Sequence, residues 1–256
     1  MKLNLMEITK ITSAQNQTIK KIAKWSTNNK ARKADQIVIL DGEHLCQEWD
    51  KHFEYLIFTS QYSGTTKFPA KNYIEVPQQL MSKMAPTKSP SGILGVIKKP
   101  GANLEKLAES RFVLLLESVQ DPGNIGTIIR TAAASGVDTI FMNATCADVW
   151  SPKVLRAGMG GHFKLNLVED VDLLQIKDHF DGPLFGTFME GENLFTTSLP
   201  QKCGFIMGNE GAGVSAELKN ICDHKINIPM QNNVESLNVA MAAGLCVYEH
   251  MRQRNN

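Results

Sequence analysis

Residues 204–247, GFIMGNEGAGVSAELKNICDHKINIPMQNNVESLNVAMAAGLCV, carry the alternation that decides the fold. Gly204 to Met207 is a short apolar run that stops at Gly208-Asn209-Glu210-Gly211-Ala212-Gly213, and Ile226 to Met230 stops at Gln231-Asn232-Asn233-Val234-Glu235. Each reads as a strand with a polar loop at its C-terminal end. Ser236 then opens a charge-free run to Val247, rich in Ala, Val, Leu and Met, which is the pattern of a helix buried on most sides with serine as its N-cap. Ligands of open α/β sheets sit at the C-terminal ends of strands, so two such loops form a candidate ligand site. The glycine spacing GxxGxG is not the dinucleotide GxGxxG, and no Lys-Ser/Thr follows as a P-loop needs; tight turns alone would also account for it.

Working outward, the rest of the second half repeats the pattern. Phe112 to Leu116 is a continuous apolar strand of the kind found inside parallel sheets. Asn124 then caps a helix from Ile125 to Ser135 that Gly136 closes. Thr139 to Met142 is a strand, and Ser151-Pro152 starts a further helix with proline at its first position. Phe163 to Val168, Val171 to Phe180, Pro183 to Met189, Ala216 to Ile221 and Ile226 to Pro229 continue the alternation, so a parallel α/β architecture is expected. The first half reads as a smaller α/β unit. An amphipathic helix lies within Ile8 to Asn28, strands at Ile37–Leu40, Phe53–Thr59, Tyr73–Val76 and Ile93–Ile97, and helices at Glu43–Trp49 and Gln78–Met84. The expected boundaries are a first domain at 1–97, a linker at 98–108 beginning Lys98-Lys99-Pro100-Gly101, and a second domain at 109–256.

The charge is unevenly spread over the 256 residues. Residues 1–108 hold 16 Lys+Arg against 9 Asp+Glu, and residues 109–256 hold 11 against 17, so a net charge of +1 divides into +7 and −6. Between Glu7 and Asp35 lie Lys10, Lys20, Lys21, Lys24, Lys30, Arg32 and Lys33 with no acid among them. Such a run attracts polyanions by releasing condensed counterions, or else simply solubilises a helix face. Lys20, Lys21, Lys24, Arg32 and Lys33 are the candidate nucleic-acid contacts. Five scattered cysteines without CxxC signal neither a disulfide framework nor a zinc site, and no metal is expected. With neither leader nor long apolar span in the sequence, a cytoplasmic location is expected.

Three blocks of the second half, Asn124-Ile125-Gly126-Thr127-Ile128-Ile129-Arg130, Gly208-Asn209-Glu210-Gly211-Ala212-Gly213, and Ile228-Pro229-Met230 with Glu235-Ser236-Leu237-Asn238-Val239, together resemble the three motifs of the SpoU/TrmH group of SPOUT RNA ribose 2′-O-methyltransferases. Ser151-Pro152-Lys153-Val154-Leu155-Arg156-Ala157 is similar to the segment after that family's second strand. Ile11-Thr12-Ser13-Ala14-Gln15-Asn16 and Pro90-Ser91-Gly92-Ile93-Leu94-Gly95 resemble the two ends of the ribosomal-protein-like substrate-binding domain that many members carry. Asn232 stands where the family commonly has glycine, and asparagine is the next best residue in a left-handed turn. Ser91 replaces the usual glutamine.

The resemblance implies a deep trefoil knot, a homodimer, and S-adenosyl-L-methionine as methyl donor for a ribose 2′-hydroxyl, in 23S ribosomal RNA ahead of transfer RNA. It gives Gly208, Ile228 and Leu237 as backbone ligands of the donor with Thr187 nearby, and Asn124, Arg130, Glu210, Ser236 and Asn238 as catalytic residues. Asn124 and Ser236 read alone would serve equally as helix caps. A non-catalytic RNA-binding protein of the same fold is the rival reading; a nucleotide-dependent oxidoreductase fails on glycine spacing.

Overall fold

The computed structural model describes residues 7–64, 67–87, 89–103, 109–232 and 234–255. The chain divides into two units, Met1–Pro100 with Trp150–Arg156, and Gly101–Val149 with Ala157–Asn256. Residues 104–108 of the expected linker and Asn233 of the second loop lie outside the described residues.

The first unit is built on a five-stranded mixed sheet in the order β1-β4-β3-β5-β2, with β1 Ile8–Lys10, β2 Ile37–Asp41, β3 Tyr55–Thr59, β4 Tyr73–Val76 and β5 Ile93–Lys98. β5 runs antiparallel to both of its neighbours, while β1, β4 and β3 are mutually parallel. Helices α1 (Gln17–Thr27), α2 (Asn29–Asp35), α3 (Glu43–Gln47) and α4 (Gln78–Met84) complete it. Ile19, Ile22 and Trp25 of α1 and Leu80, Met81 and Met84 of α4 share one core with Ile39, Ile57 and Leu94 of the sheet. The single helix expected within Ile8 to Asn28 is a strand, a turn and a helix. Asn16 caps α1 by accepting from the N–H groups of Thr18 and Ile19, so the helix cannot begin earlier, and Asn28 starts a second helix by accepting from Ala31.

The second unit has a six-stranded sheet, every pairing of which is parallel, in the order β11-β9-β10-β6-β7-β8. Its strands are β6 Phe112–Leu116, β7 Thr139–Met142, β8 Asn166–Val168, β9 Leu184–Asn193, β10 Cys203–Met207 and β11 His224–Asn227. All five side chains of β6 are buried, as its unbroken apolar sequence requires of a strand covered on both faces. On one face Val113, Leu115 and Ile206 pack with Leu173, Ile176 and Leu218. α5 (Pro122–Ser135) and α8 (Val239–Arg254) pack against each other; α6 (Pro152–Gly158) begins in the Trp150–Arg156 segment that groups with the first unit, and α7 is Ala216–Ile221. The chain runs outward from β6 through β7 to β8, then returns to fill the other side with β9, β10 and β11. The strand order therefore reverses between β6 and β10, the position at which parallel sheets open a crevice.

Two helix starts differ from expectation. Asp121, not Asn124, caps α5, because Pro122 occupies the first helical position and the Asp121 carboxylate accepts from the Asn124 N–H at 2.9 Å. Ser236 caps no helix among the described residues. Asn238 caps α8, its side-chain oxygen accepting from Ala240 and Met241 at 2.9 and 3.3 Å, and the helix runs on to Arg254. Asn238 is consequently exposed rather than buried inside an apolar helix.

Candidate active site

Three loops meet beyond the C-terminal ends of β6, β10 and β11. The two after β10 and β11, together with Thr187 to Met189 of β9, line a cavity of about 320 Å³. Thr187, Gly208, Ile228 and Leu237, the four expected donor ligands, all line it, together with Glu210 and Ser236. Its walls are mostly glycine backbone and apolar side chains, including Met207, Met230 and Val239. Such a lining suits a purine and an aliphatic chain held by peptide groups.

Gly208 is there because nothing larger fits. A Cβ on it would overlap backbone atoms of Gly213 and Val214. Gly213 is required for a different reason, its φ of +70°, and a Cβ there would meet open space. Asn232 also adopts the expected left-handed conformation, with φ 57°. Thr187 donates through Oγ1 to the Ile206 carbonyl at 3.3 Å, joining β9 to β10 at the floor of the crevice.

A chain of side-chain hydrogen bonds ties the three loops together. Asn238 Nδ2 donates to Asn124 Oδ1 at 2.9 Å, and Asn124 Nδ2 donates to Glu210 Oε1 at 3.1 Å. Glu210 also accepts from the N–H groups of Gln120 and Asp121 at 3.3 and 3.2 Å, at the start of α5. Partial burial pushes its carboxyl up, but the bonds from Asn124 and the backbone amides of Glu210, Asp121 and Gln120 outweigh that and hold it below the ordinary range. The positive end of α5 favours the same ionised form. Because Asp121 takes over the capping, the Asn124 amide is free for this cross-loop role.

Arg130 lies two turns along α5, exposed, and makes no hydrogen bond or ion pair among the described residues. It is not part of the cavity wall. In the first unit Lys20, Lys21, Lys24 and Lys33 are exposed, with Lys21 Nζ 4.9 Å from the centre of the Trp25 ring. Arg32 departs from expectation. It is only 5% exposed, and its guanidinium donates to the Trp25 carbonyl at 2.9 Å and to Asn29 Oδ1 at 3.3 Å, pinning α2 to the end of α1. That arginine is consumed by the fold and withdrawn from any polyanion.

A model of the SpoU rRNA methylase family matches residues 111–248. The chain belongs to this family. It is 35% identical over 254 residues to the 23S rRNA (guanosine(2553)-2′-O)-methyltransferase RlmP of Bacillus subtilis, covering 94% of this chain and 98% of that one. An uncharacterized tRNA/rRNA methyltransferase of Synechocystis is 33% identical, with 97% and 95% covered. Among solved structures, the SpoU methyltransferase AviRb of Streptomyces viridochromogenes, crystallised with AdoMet, superposes with a TM-score of 0.84 at 25% identity, covering 94% of this chain and 99% of that one.

Within this SpoU-family site, two participants carry no signal that sequence reading used. Asp121 falls before the expected cap at Asn124 and is itself the cap, which frees Asn124. Asn227 lines the cavity and donates through Nδ2 to the Phe188 and Met189 carbonyls at 3.3 and 2.6 Å, holding the segment where the pairing of β9 with β11 jumps from Gly186 to Glu192. The Asp-Pro dipeptide could have announced the first. Nothing local announces the second.

Proposed function

We propose that this protein transfers a methyl group from S-adenosylmethionine to a ribose 2′-hydroxyl of ribosomal RNA in the cytoplasm. The observation that carries the reading is the cavity beyond the C-terminal ends of β10 and β11 and against β9, bounded by all four expected donor ligands, with its loops clamped to the start of α5 by Asn124, Glu210 and Asn238. The fit is good on the chain's own terms. The Gly208–Gly213 approach is too close for any side chain, and the walls are apolar with peptide edges.

When bound, the donor supplies an electrophilic methyl carried on a sulfonium. Gly208, Ile228 and Leu237 offer backbone groups to hold it, and Thr187 fixes the floor. Arginine is a poor base, its pKa exceeding about 12. Arg130 therefore orients the ribose hydroxyl and grips the neighbouring phosphate through two parallel N–H donors, the phosphate or a water taking the proton. Asn124, Glu210 and Asn238 fix the start of the helix that carries it, and Ser236 adds a polar contact at the cavity wall.

The knot belongs to this reading. β11 pairs with β9, yet the chain after it reaches Asn124, which follows β6 on the far side of β10. That return path supports a threaded loop. A homodimer belongs to it as well: Met241 (58% exposed) and Tyr248 (44%) line an outward face of α8, an apolar stripe that a second copy would cover. Residues 1–97 act as the RNA-holding domain and 109–256 as the transferase, with 98–108 between them.

Calorimetric titration with S-adenosylmethionine is the test. Saturable binding is expected; no binding, or binding of NAD instead, overturns the proposal. Mapping the 2′-O-methyl groups lost in a deletion strain then identifies the nucleotide.

A further inference from the structure

Asn209 stands between the two halves of the site with its side-chain amide fully engaged. Its Oδ1 accepts from the N–H groups of Gly211 and Ala212 at 2.9 and 3.0 Å, and its backbone exchanges two 2.9 Å hydrogen bonds with Gly213. Those bonds fold the loop that lines the cavity. Its Nδ2 donates to the Ser118 carbonyl at 2.8 Å and lies 3.5 Å from Glu210 Oε2.

Ser118 has φ 54°, a left-handed conformation that costs a non-glycine residue about 1–2 kcal/mol. Two contacts offset that cost. The Ser118 N–H donates to Asn143 Oδ1 at 2.9 Å, and its hydroxyl lies 2.6 Å from that of Thr145. The backbone is thus held in a conformation that delivers its carbonyl to Asn209, three residues before the Asp121 cap.

We infer that Asn209 is a positioning residue for methyl transfer: one end of its amide shapes the donor-holding turn, and the other ties that turn to the Ser118 loop leading into Asn124 and Arg130. The inference deepens the function proposed above and rests on it. The two ends are chemically separable, since a carboxylate keeps the acceptor and loses the donor.

Asn209→Asp is therefore the informative variant, with Asn209→Ala as its companion. In Asn209→Asp the donor Kd stays within about threefold of the parent, because both turn amides keep their acceptor, while kcat falls about tenfold or more with the Ser118 tie broken. In Asn209→Ala both parameters worsen. Glu117, Asp121 and Glu210, the acids on these two loops, oppose the introduced charge, the Gly211 and Ala212 N–H groups favour it, and the half-buried Cys146 thiol, held above its ordinary value by desolvation, stays neutral. Acidification protonates that carboxyl and restores an O–H donor toward Ser118, so the ratio of variant to parental kcat rises as pH falls.

A ratio flat with pH, an unchanged kcat in Asn209→Asp, or an Asn209→Asp protein that does not fold would each overturn the inference by assigning the amide to scaffold alone. Should Asn209→Ala fail to fold, the Asn209→Asp ratio decides by itself. Absence of S-adenosylmethionine binding by the parent protein is a separate result, which sinks the proposed function and this inference with it.

Discussion

Asn238 Nδ2 donates to Asn124 Oδ1 at 2.9 Å across 114 residues of sequence. Each asparagine has a second task at a helix start: Asn238 caps α8, and Asn124 passes the bond on to Glu210. One pair of amides thereby joins the start of α8 to the start of the Arg130 helix.

Asn238→Asp separates those tasks. The carboxylate still accepts from Ala240 and Met241, so the cap survives and thermal stability stays close to the parent's. The donor to Asn124 is gone, and two acceptors face each other; turnover falls by about tenfold, the equivalent of about 1.4 kcal/mol in the barrier. Asn238→Ala loses the cap too and unfolds at a lower temperature. Steady-state kinetics beside thermal melts check both.

Gly208 and Gly213 predict opposite outcomes for one added methyl group. In Gly208→Ala the methyl collides with the Gly213 and Val214 backbones, which cannot yield without opening the turn, so donor binding is lost. In Gly213→Ala the methyl meets open space and the cost is backbone strain alone, about 1–2 kcal/mol. Calorimetry on the two variants should show a null titration for the first and a measurable Kd for the second.

Much of this arrangement is readable from local pattern. β4, β6, β7 and α4 fall where alternation and apolar runs put them, since each is decided by its own side chains. Helix starts are less legible. Asn124 and Ser236 are both good caps by residue type, but Asp121 and Asn238 win because proline fixes one start and a non-helical backbone at Asn238 (φ −51°, ψ 136°) fixes the other. The cross-loop bonds among Asn124, Glu210 and Asn238 were invisible to periodicity, for they join segments 86 and 114 residues apart. Arg32 misled for a related reason: a cation in a basic run looks solvated until a neighbouring helix end claims its guanidinium.

Acid should weaken the fold partly through Glu210. Its carboxyl sits below the reference value of 4.5 in the folded chain, so its contribution is present above the unfolded pKa and is lost as pH falls through the folded one. His162, pushed down to about 4 by burial, and His250, pushed down likewise, lose stability from about 6.5 downward in parent and variant alike. Glu210→Gln therefore matches the parental slope of melting temperature at mildly acidic pH and becomes shallower only below about pH 4.5. Parallel curves throughout would remove Glu210 from the account.

The basic run divides into two kinds of residue. Neutralising Lys20, Lys21 and Lys24 weakens RNA binding and lowers the slope of log K against log salt, by up to about 0.7–0.9 for each phosphate contact removed, while donor affinity is unchanged. Arg32→Ala behaves differently. It leaves the salt slope alone and lowers the melting temperature, because the Trp25 carbonyl loses a charged donor in a buried setting worth about 1.5–3 kcal/mol.

Arg130 tests the chemistry itself. Its exposure and lack of a partner among the described residues leave the whole guanidinium fork available to substrate, which a residue serving only the fold would not be. Lysine keeps the charge but presents one rotating ammonium where the fork presents two fixed parallel donors. Arg130→Lys should therefore retain donor binding, since the cavity wall does not include it, and lose kcat by about a hundredfold if both donors act only at the transition state. Arg130→Ala should lose more. Near-parental turnover in Arg130→Lys would show that charge suffices and that the hydroxyl is oriented by another group, with Ser236 at the cavity wall the next residue to substitute.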